Sequence, residues 1–173
     1  MKAYQGNALK LSRFADETFD MTLLLGPMYH LYTFEDKVKA LCEAKRVTKK
    51  NGLYFCGYIM MNDYGVLMYG FKENMVKECL GDGRLTEDFH CVSKEKDLYE
   101  YVTLSDIEKI NEAVSLQREK IIAPDGAANY MRPVLKEMDE ETFELFVRYQ
   151  MSVAERMDLM GASAHTVDIL RVS

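Results

Sequence analysis

Hydrophobic and polar positions change rhythm several times along the chain. Residues 21–25 form a short apolar run, with Asp20 before it and Gly26-Pro27 after it. That is the pattern of a buried strand opening into a loop. Residues 34–50 are amphipathic, with Val38, Leu41, Cys42 and Val47 roughly on one face, so the segment reads as a helix packed on a sheet. Thr33 is a good N-cap, Glu35 and Asp36 stand in the first turn, and Lys49 and Lys50 close the last before Asn51-Gly52. A second apolar run, 53–61, follows. Strand, helix, strand is the unit of a parallel sheet with a right-handed crossover. Open sheets of this kind bind ligands in loops at the carboxyl ends of their strands. Loop 26–30 is such a loop, and it carries Tyr29 and His30.

Residues 62–80 read as another helix, ended by Gly81-Asp82-Gly83. Residues 85–92 read as irregular, and 98–103 as a strand or extended edge. Ser105-Asp106-Ile107-Glu108 is a capping box opening a helix to about Leu116. Residues 117–123 then read as a strand ending at Pro124-Asp125-Gly126. A long helix over 139–160 is stopped by Gly161, its acidic start at Asp139-Glu140-Glu141 suiting the helix dipole. The last strand is expected over 165–172. No internal repeat or linker divides the chain.

Four of these stretches resemble one family. Gly6-Asn7-Ala8, Phe19-Asp20, the run from Leu25 to Leu31 and the run from Glu43 to Gly52 look like the middle and later motifs of class I S-adenosylmethionine-dependent methyltransferases. Lys50-Asn51 stands where that family usually has Pro-Gly. Residues 163–172 look like the family's last strand. The resemblance implies an α/β, Rossmann-like methyltransferase fold: a mostly parallel sheet with an antiparallel last strand and helices on both faces. It implies S-adenosylmethionine as cofactor, with Asn7 and Ala8 near the adenine and Gly26, Pro27, Met28 and Tyr29 in the loop that closes over the methyl donor. Residues 62–103 correspond to a lid or acceptor-side insert within one partial domain, 1–173.

The family's glycine-rich loop and the acid ending its second strand normally precede the adenine-side motif. Five residues stand before Gly6, and no G-x-G-x-x-G pattern occurs elsewhere. The chain therefore reads as the C-terminal two-thirds of a methyltransferase, truncated at the N-terminus. Strand 21–25 would then lie at an exposed sheet edge, which predicts a homodimer.

Composition narrows the partners. A net charge of -6 excludes a basic face for nucleic acid, and no apolar run approaches membrane-spanning length. Cys42, Cys56, Cys79 and Cys91 lack paired spacing, so they read as reduced, mostly core thiols of a cytoplasmic protein and not as a metal site. The 12 methionines suit core filling or an adaptable pocket wall.

Methyl transfer needs an acceptor held in line and, for some acceptors, a base. There are 3 histidines to consider. His30 is the catalytic candidate by its loop, or a loop residue bonded to nearby backbone; Tyr29 is a donor contact or a packed aromatic. His90, with Glu87, is an acceptor-side candidate in the insert, or part of a solvated loop. Tyr130 and Arg132 follow the polar run from Asp125 and suit an anionic or polar acceptor, or Arg132 pairs with a surface acid. His165 reads as structural. The function expected is methyl transfer to a small molecule that the sequence does not name. The alternative is a non-catalytic module that folds by self-association or with a partner.

Overall fold

The computed structural model of the protein describes residues 2–59 and 61–172. Strand β1 (Phe19–Leu25) passes through a single 3-10 turn, Pro27–His30, into helix α1 (Phe34–Val47) and strand β2 (Thr48–Ile59). The Thr33 side chain caps α1 as expected, accepting the Asp36 N–H at 3.1 Å. The helix ends three residues earlier than the pattern suggests. Thr48 turns extended, and its hydroxyl donates to the Ala44 carbonyl at 2.7 Å and lies 2.6 Å from the Thr22 hydroxyl on β1. Asn51-Gly52 therefore ends no helix. It forms a bulge inside β2, with Asn51 at φ 64 and the β1 register jumping from Phe19↔Thr48 to Met21↔Leu53. A Cβ on Gly52 would stand 2.8 Å from the Lys49 carbonyl and 2.9 Å from that of Asp20, so only glycine fits.

The helix expected over 62–80 is broken into pieces. Helix α2 (Asn62–Gly65) runs into a π-helical segment, Val66–Lys72, and the chain then bends at Asn74 (φ 58) into α3 (Val76–Asp82). Gly65 and Gly70 weaken the helix there, and the Tyr101 ring lies against Gly65. Gly83, left-handed at φ 77, stops α3 where expected. Met60, within the strand expected over 53–61, lies outside the described residues.

Residues 98–103 are not a strand; Val102 makes a single bridge to Met61. The capping box of helix α4 (Leu104–Val114) is Thr103 with Asp106, not Ser105 with Glu108. That start places Ile107, Ile110 and Val114 on the core. Strand β3 (Gln117–Ile122) follows, then α5 (Arg132–Lys136), α6 (Glu140–Val153), α7 (Met157–Met160) and β4 (His165–Arg171). The long helix expected over 139–160 is thus two. The Ala154 carbonyl accepts the Ala123 N–H at 2.8 Å, and Arg156 is extended.

The sheet order is β1-β2-β4-β3, with β1 and β2 parallel and the last strand antiparallel to both of its neighbours. The α/β, Rossmann-like architecture is as expected, and the sheet is mixed. Leu24, Tyr54, Cys56 and Leu170 pack against Leu41 and Ala44 of α1 and Ile107 and Ile110 of α4 to form the core, each large side chain contributing about 1.5–3 kcal/mol. The fully buried Asp168 is held by Nε and Nη2 of Arg118 at 2.8 and 2.9 Å and by Asn111 at 2.7 Å. Of the four cysteines, Cys56 is buried, Cys79 and Cys91 are half-buried, and Cys42 is exposed, off the face expected for it.

Strand β1 is buried on one side only. Leu24 is 6% exposed, whereas Met21, Leu23 and Leu25 are 54%, 59% and 55% exposed. The expectation that strand 21–25 lies at a sheet edge agrees with the topology: among the described residues β1 pairs with β2 alone.

Candidate functional site

The carboxyl end of β1 is closed by the Pro27–His30 turn. Proline suits its first position, where the N–H has no partner to lose. Met28 is buried in the core and anchors the turn. Tyr29 and His30 lie with ring centroids 4.5 Å apart and meet Tyr99 at 5.6 and 5.8 Å. His30 Nδ1 is 3.0 Å from the Leu98 carbonyl and donates to it, since a carbonyl oxygen only accepts. The Glu100 N–H donates to the Tyr29 carbonyl at 2.9 Å. The loop is thus stitched to residues 98–100, within the insert.

Asn7, Ala8 and Pro27 come together. They line one cavity of about 700 Å³ with Thr22 and Leu24. The Asn7 side chain accepts the Leu9 N–H at 2.9 Å and fixes the turn that presents Ala8. The segment is tied to α1 through Glu43 and Arg46. Glu43 accepts the Leu11 N–H, and Arg46 donates to the Phe14 carbonyl at 2.9 Å and to Asp16 at 2.7 Å. Hydrogen bonds from Arg46 and the Leu11 N–H hold the Glu43 carboxyl down at about 2. Gly26 and Tyr29 stand beside the cavity without lining it, and a Cβ on Gly26 would be 3.5 Å from the Tyr29 hydroxyl.

This cavity fits one side of a nucleoside. Its volume is in the range of small-molecule sites, and an amide, backbone groups and a proline edge suit an adenine. Among the described residues lining it there is no aspartate or glutamate to take a ribose diol, while Lys10 and Arg13 are present.

The insert carries two further cavities. One, of about 320 Å³, is walled by Tyr69, Tyr99, Tyr101, Cys79 and Cys91. Burial pushes the Cys91 thiol up to about 12, so it stays protonated. The other, of about 160 Å³, includes His90, Lys37, Glu100 and Asp106. Lys37 Nζ is 2.9 Å from Glu100, with side chains 5% and 20% exposed. The second Glu100 oxygen is buried without a hydrogen-bond partner, and burial raises that carboxyl above its ordinary value. Buried Asn62 pins the stretch around His90, donating to the Phe89 carbonyl at 2.9 Å and accepting the Cys91 N–H at 2.7 Å. Glu87 is exposed.

Tyr130 and Arg132 line a different cavity, of about 440 Å³, away from His90. The Tyr130 hydroxyl donates to the Ala162 carbonyl at 2.8 Å, and its ring meets Tyr64 edge-on at 5.6 Å. Among the described residues Arg132 pairs with no surface acid; it donates to the Asn129 side chain at 2.9 and 2.6 Å. The same cavity contains His165, whose Nδ1 is bonded to Asp125. Sequence reasoning passed over this pair. The signal was there: Asp125 follows one expected strand and His165 opens another, and antiparallel pairing of the two brings those ends together.

Residues 1–56 match a family model described as a methyltransferase domain. No curated protein matches the chain. Among solved structures, a SAM-dependent methyltransferase from Methanosarcina mazei is similar at 12% identity and TM-score 0.54, over 96% of this chain and 64% of its own. A SAM-dependent methyltransferase from Archaeoglobus fulgidus gives 12% and 0.53, over 97% and 66%. A SAM-dependent methyltransferase from Thermotoga maritima, described as a possible histamine N-methyltransferase, gives 13% and 0.52, over 97% and 62%. The fold is that of the class I S-adenosylmethionine-dependent methyltransferases, and the resemblance read from the sequence is borne out. S-adenosylmethionine is the cofactor of that group. The chain spans under two thirds of the Methanosarcina mazei structure.

Proposed function

We propose that the chain forms the adenine-side and acceptor-side portion of an S-adenosylmethionine-dependent methyltransferase acting on a small molecule. One observation carries the reading: Asn7, Ala8 and Pro27 share a cavity at the carboxyl end of β1, where the family places its donor. When bound, the donor supplies an electrophilic methyl group. Asn7 and Ala8 hold the adenine edge, and Gly26, Pro27 and Tyr29 close the loop beside it. His30 presents Nε2 at the donor–acceptor boundary, and residues 62–103 form the lid. His90 lies on the lid's inner side, and Tyr130 and Arg132 take the acceptor. The test is photo-crosslinking of S-adenosylmethionine labelled in its adenine. Adducts at residues 6–9 or 26–29 support the reading, and labelling confined to other segments contradicts it.

A second reading, a non-catalytic module that self-associates, is favoured by the exposed face of β1. Met21, Leu23 and Leu25 present a row of apolar side chains beside an unpaired strand edge. A homodimer in the cytoplasm, joined through this edge, serves both readings. Dimerisation with no response to donor at any concentration would favour the second over the first.

A further inference from the structure

The last strand begins at the end of the sheet where loop 26–30 closes β1. Leu25, Gly57 and Val167 stand in register across β1, β2 and β4. Because β4 runs antiparallel, His165 pairs with Ile59, two residues beyond that line, at the end of the sheet where β1 passes into the Pro27–His30 turn.

At this position the His165 ring is held by a carboxylate and faces a cavity. Nδ1 bonds to Asp125, and the ring is part of the wall of the 440 Å³ cavity. A carboxylate on Nδ1 keeps the proton on that nitrogen and leaves Nε2 as a lone-pair acceptor. The pair is itself braced. The Asp125 carbonyl accepts the Gln150 amide at 2.7 Å, the Gly126 N–H donates to the Ser163 hydroxyl oxygen at 3.2 Å, and that hydroxyl donates to the His165 carbonyl at 2.7 Å. Gly126 has φ 49, and a Cβ there would stand 2.4 Å from the Gln150 amide, so the turn carrying Asp125 calls for glycine.

The rest of the wall combines aromatic rings with the cations Lys72 and Arg132. Tyr64, Tyr69 and Tyr130 supply ring faces and edges. Lys72 is accompanied by Glu73, whereas the guanidinium of Arg132 is steadied only by the neutral Asn129 amide. Among the described residues, Arg132 makes no ion pair. Its charge is oriented and uncancelled.

We propose that this cavity seats the methyl acceptor and selects a small, flat molecule that carries a carboxylate or phosphate for Arg132 and an O–H for His165. The proposal rests on the methyltransferase reading. Proton transfer breaks the O–H bond and forms Nε2–H. The oxygen keeps the electron pair, and the new imidazolium faces the Asp125 carboxylate. His165 is the proton acceptor, and Asp125 is a positioning residue acting through it.

The test is long-range proton–nitrogen NMR of the full chain labelled at its 3 histidines, with 4-hydroxybenzoate, benzoate and 4-hydroxybenzamide as probes. The expected result is that 4-hydroxybenzoate binds and shifts Nε2 of His165. Benzoate binds without moving that signal, and 4-hydroxybenzamide binds about tenfold more weakly for want of the anion. Arg132→Gln, an exposed change, lowers 4-hydroxybenzoate affinity about tenfold. Asp125→Asn turns the His165 Nε2 signal from a bare towards a protonated nitrogen. Equal binding of the three probes, no binding of 4-hydroxybenzoate, an unmoved Nε2, or an unchanged tautomer in Asp125→Asn each overturns the proposal. S-adenosylmethionine added to the same sample reads the donor cavity separately, through the Asn7 and Ala8 amides. No donor response with the probes still bound overturns the methyltransferase reading and leaves the cavity as a binding site.

Discussion

Lys37 on α1 lies 2.9 Å from Glu100 in the insert, and the two side chains bury each other behind the Tyr29–Glu100 backbone bond. The Tyr32 hydroxyl adds a third tie, donating to the Asp97 carbonyl. Together these hold the insert against the loop that follows β1. A charge pair thus fastens residues 97–100 to α1 and to the turn that precedes it.

Lys37→Met should therefore cost about 3 kcal/mol, because it strands a partly buried carboxylate without its partner. Lys37→Met with Glu100→Leu should recover much of that loss. Urea unfolding of the two variants checks the order. A double variant no more stable than the single one would mean that packing, and not the charge pair, fastens the lid.

The two faces of β1 separate association from folding. Leu23→Lys places a charge on the exposed face and should weaken self-association while leaving the unfolding midpoint nearly unchanged. Leu24→Lys buries a charge in the core and should unfold the chain, since Leu24 packs with Cys56 and Leu41. Sedimentation equilibrium with thermal melts tells the two apart. A monodisperse monomer of the parent chain at high concentration would remove the dimer from the account.

Glu43 sets an acid limit. Its carboxyl is held at about 2 from an ordinary 4.5, first by hydrogen bonds from Arg46 and then by the Leu11 N–H. A lowered value means that stability is present above the unfolded value and lost as pH falls through the folded one. Between about pH 4.5 and 2 the parent chain should lose stability more steeply than Glu43→Gln. Parallel curves across that window would show that the carboxylate does not fasten the N-terminal segment to α1.

Gly65→Ala should displace the lid's aromatic wall. A Cβ there would stand 2.4 Å from the Tyr101 ring, so the ring has to move at a cost of about 1–3 kcal/mol. Ring signals of Tyr101 and Tyr69 shifting together in NMR would confirm the coupling. An unperturbed Tyr101 with parent stability would contradict the packing described.

The strand–helix–strand unit was legible because its periods are clean: an apolar run, a capped amphipathic helix, an apolar run. So was the loop at its end, and Asn7, Ala8 and Pro27 do share a cavity. The insert was misread because its residues obey tertiary contacts more than local pattern. Gly65 and Gly70 interrupt the helix over 62–80, and residues 98–103 are extended only to reach Tyr29 and Met61. Met28 was assigned to the donor by its neighbours in sequence, whereas a 3-10 turn sends its side chain into the core. His165 looked structural because its partner, Asp125, lies 40 residues away and meets it only once β3 and β4 pair.

The central claim is that the cavity of Asn7, Ala8 and Pro27 is a donor site complete on its adenine side and lacking an acid for the ribose. It is tested most directly by titrating S-adenosylmethionine into the nitrogen-labelled chain and following the backbone amides. The account predicts amide shifts confined to residues 6–9, 26 and 28–30, with a dissociation constant weaker than roughly 100 μM, about 5.5 kcal/mol of binding. Shifts centred elsewhere, or saturation at low micromolar donor, would contradict it.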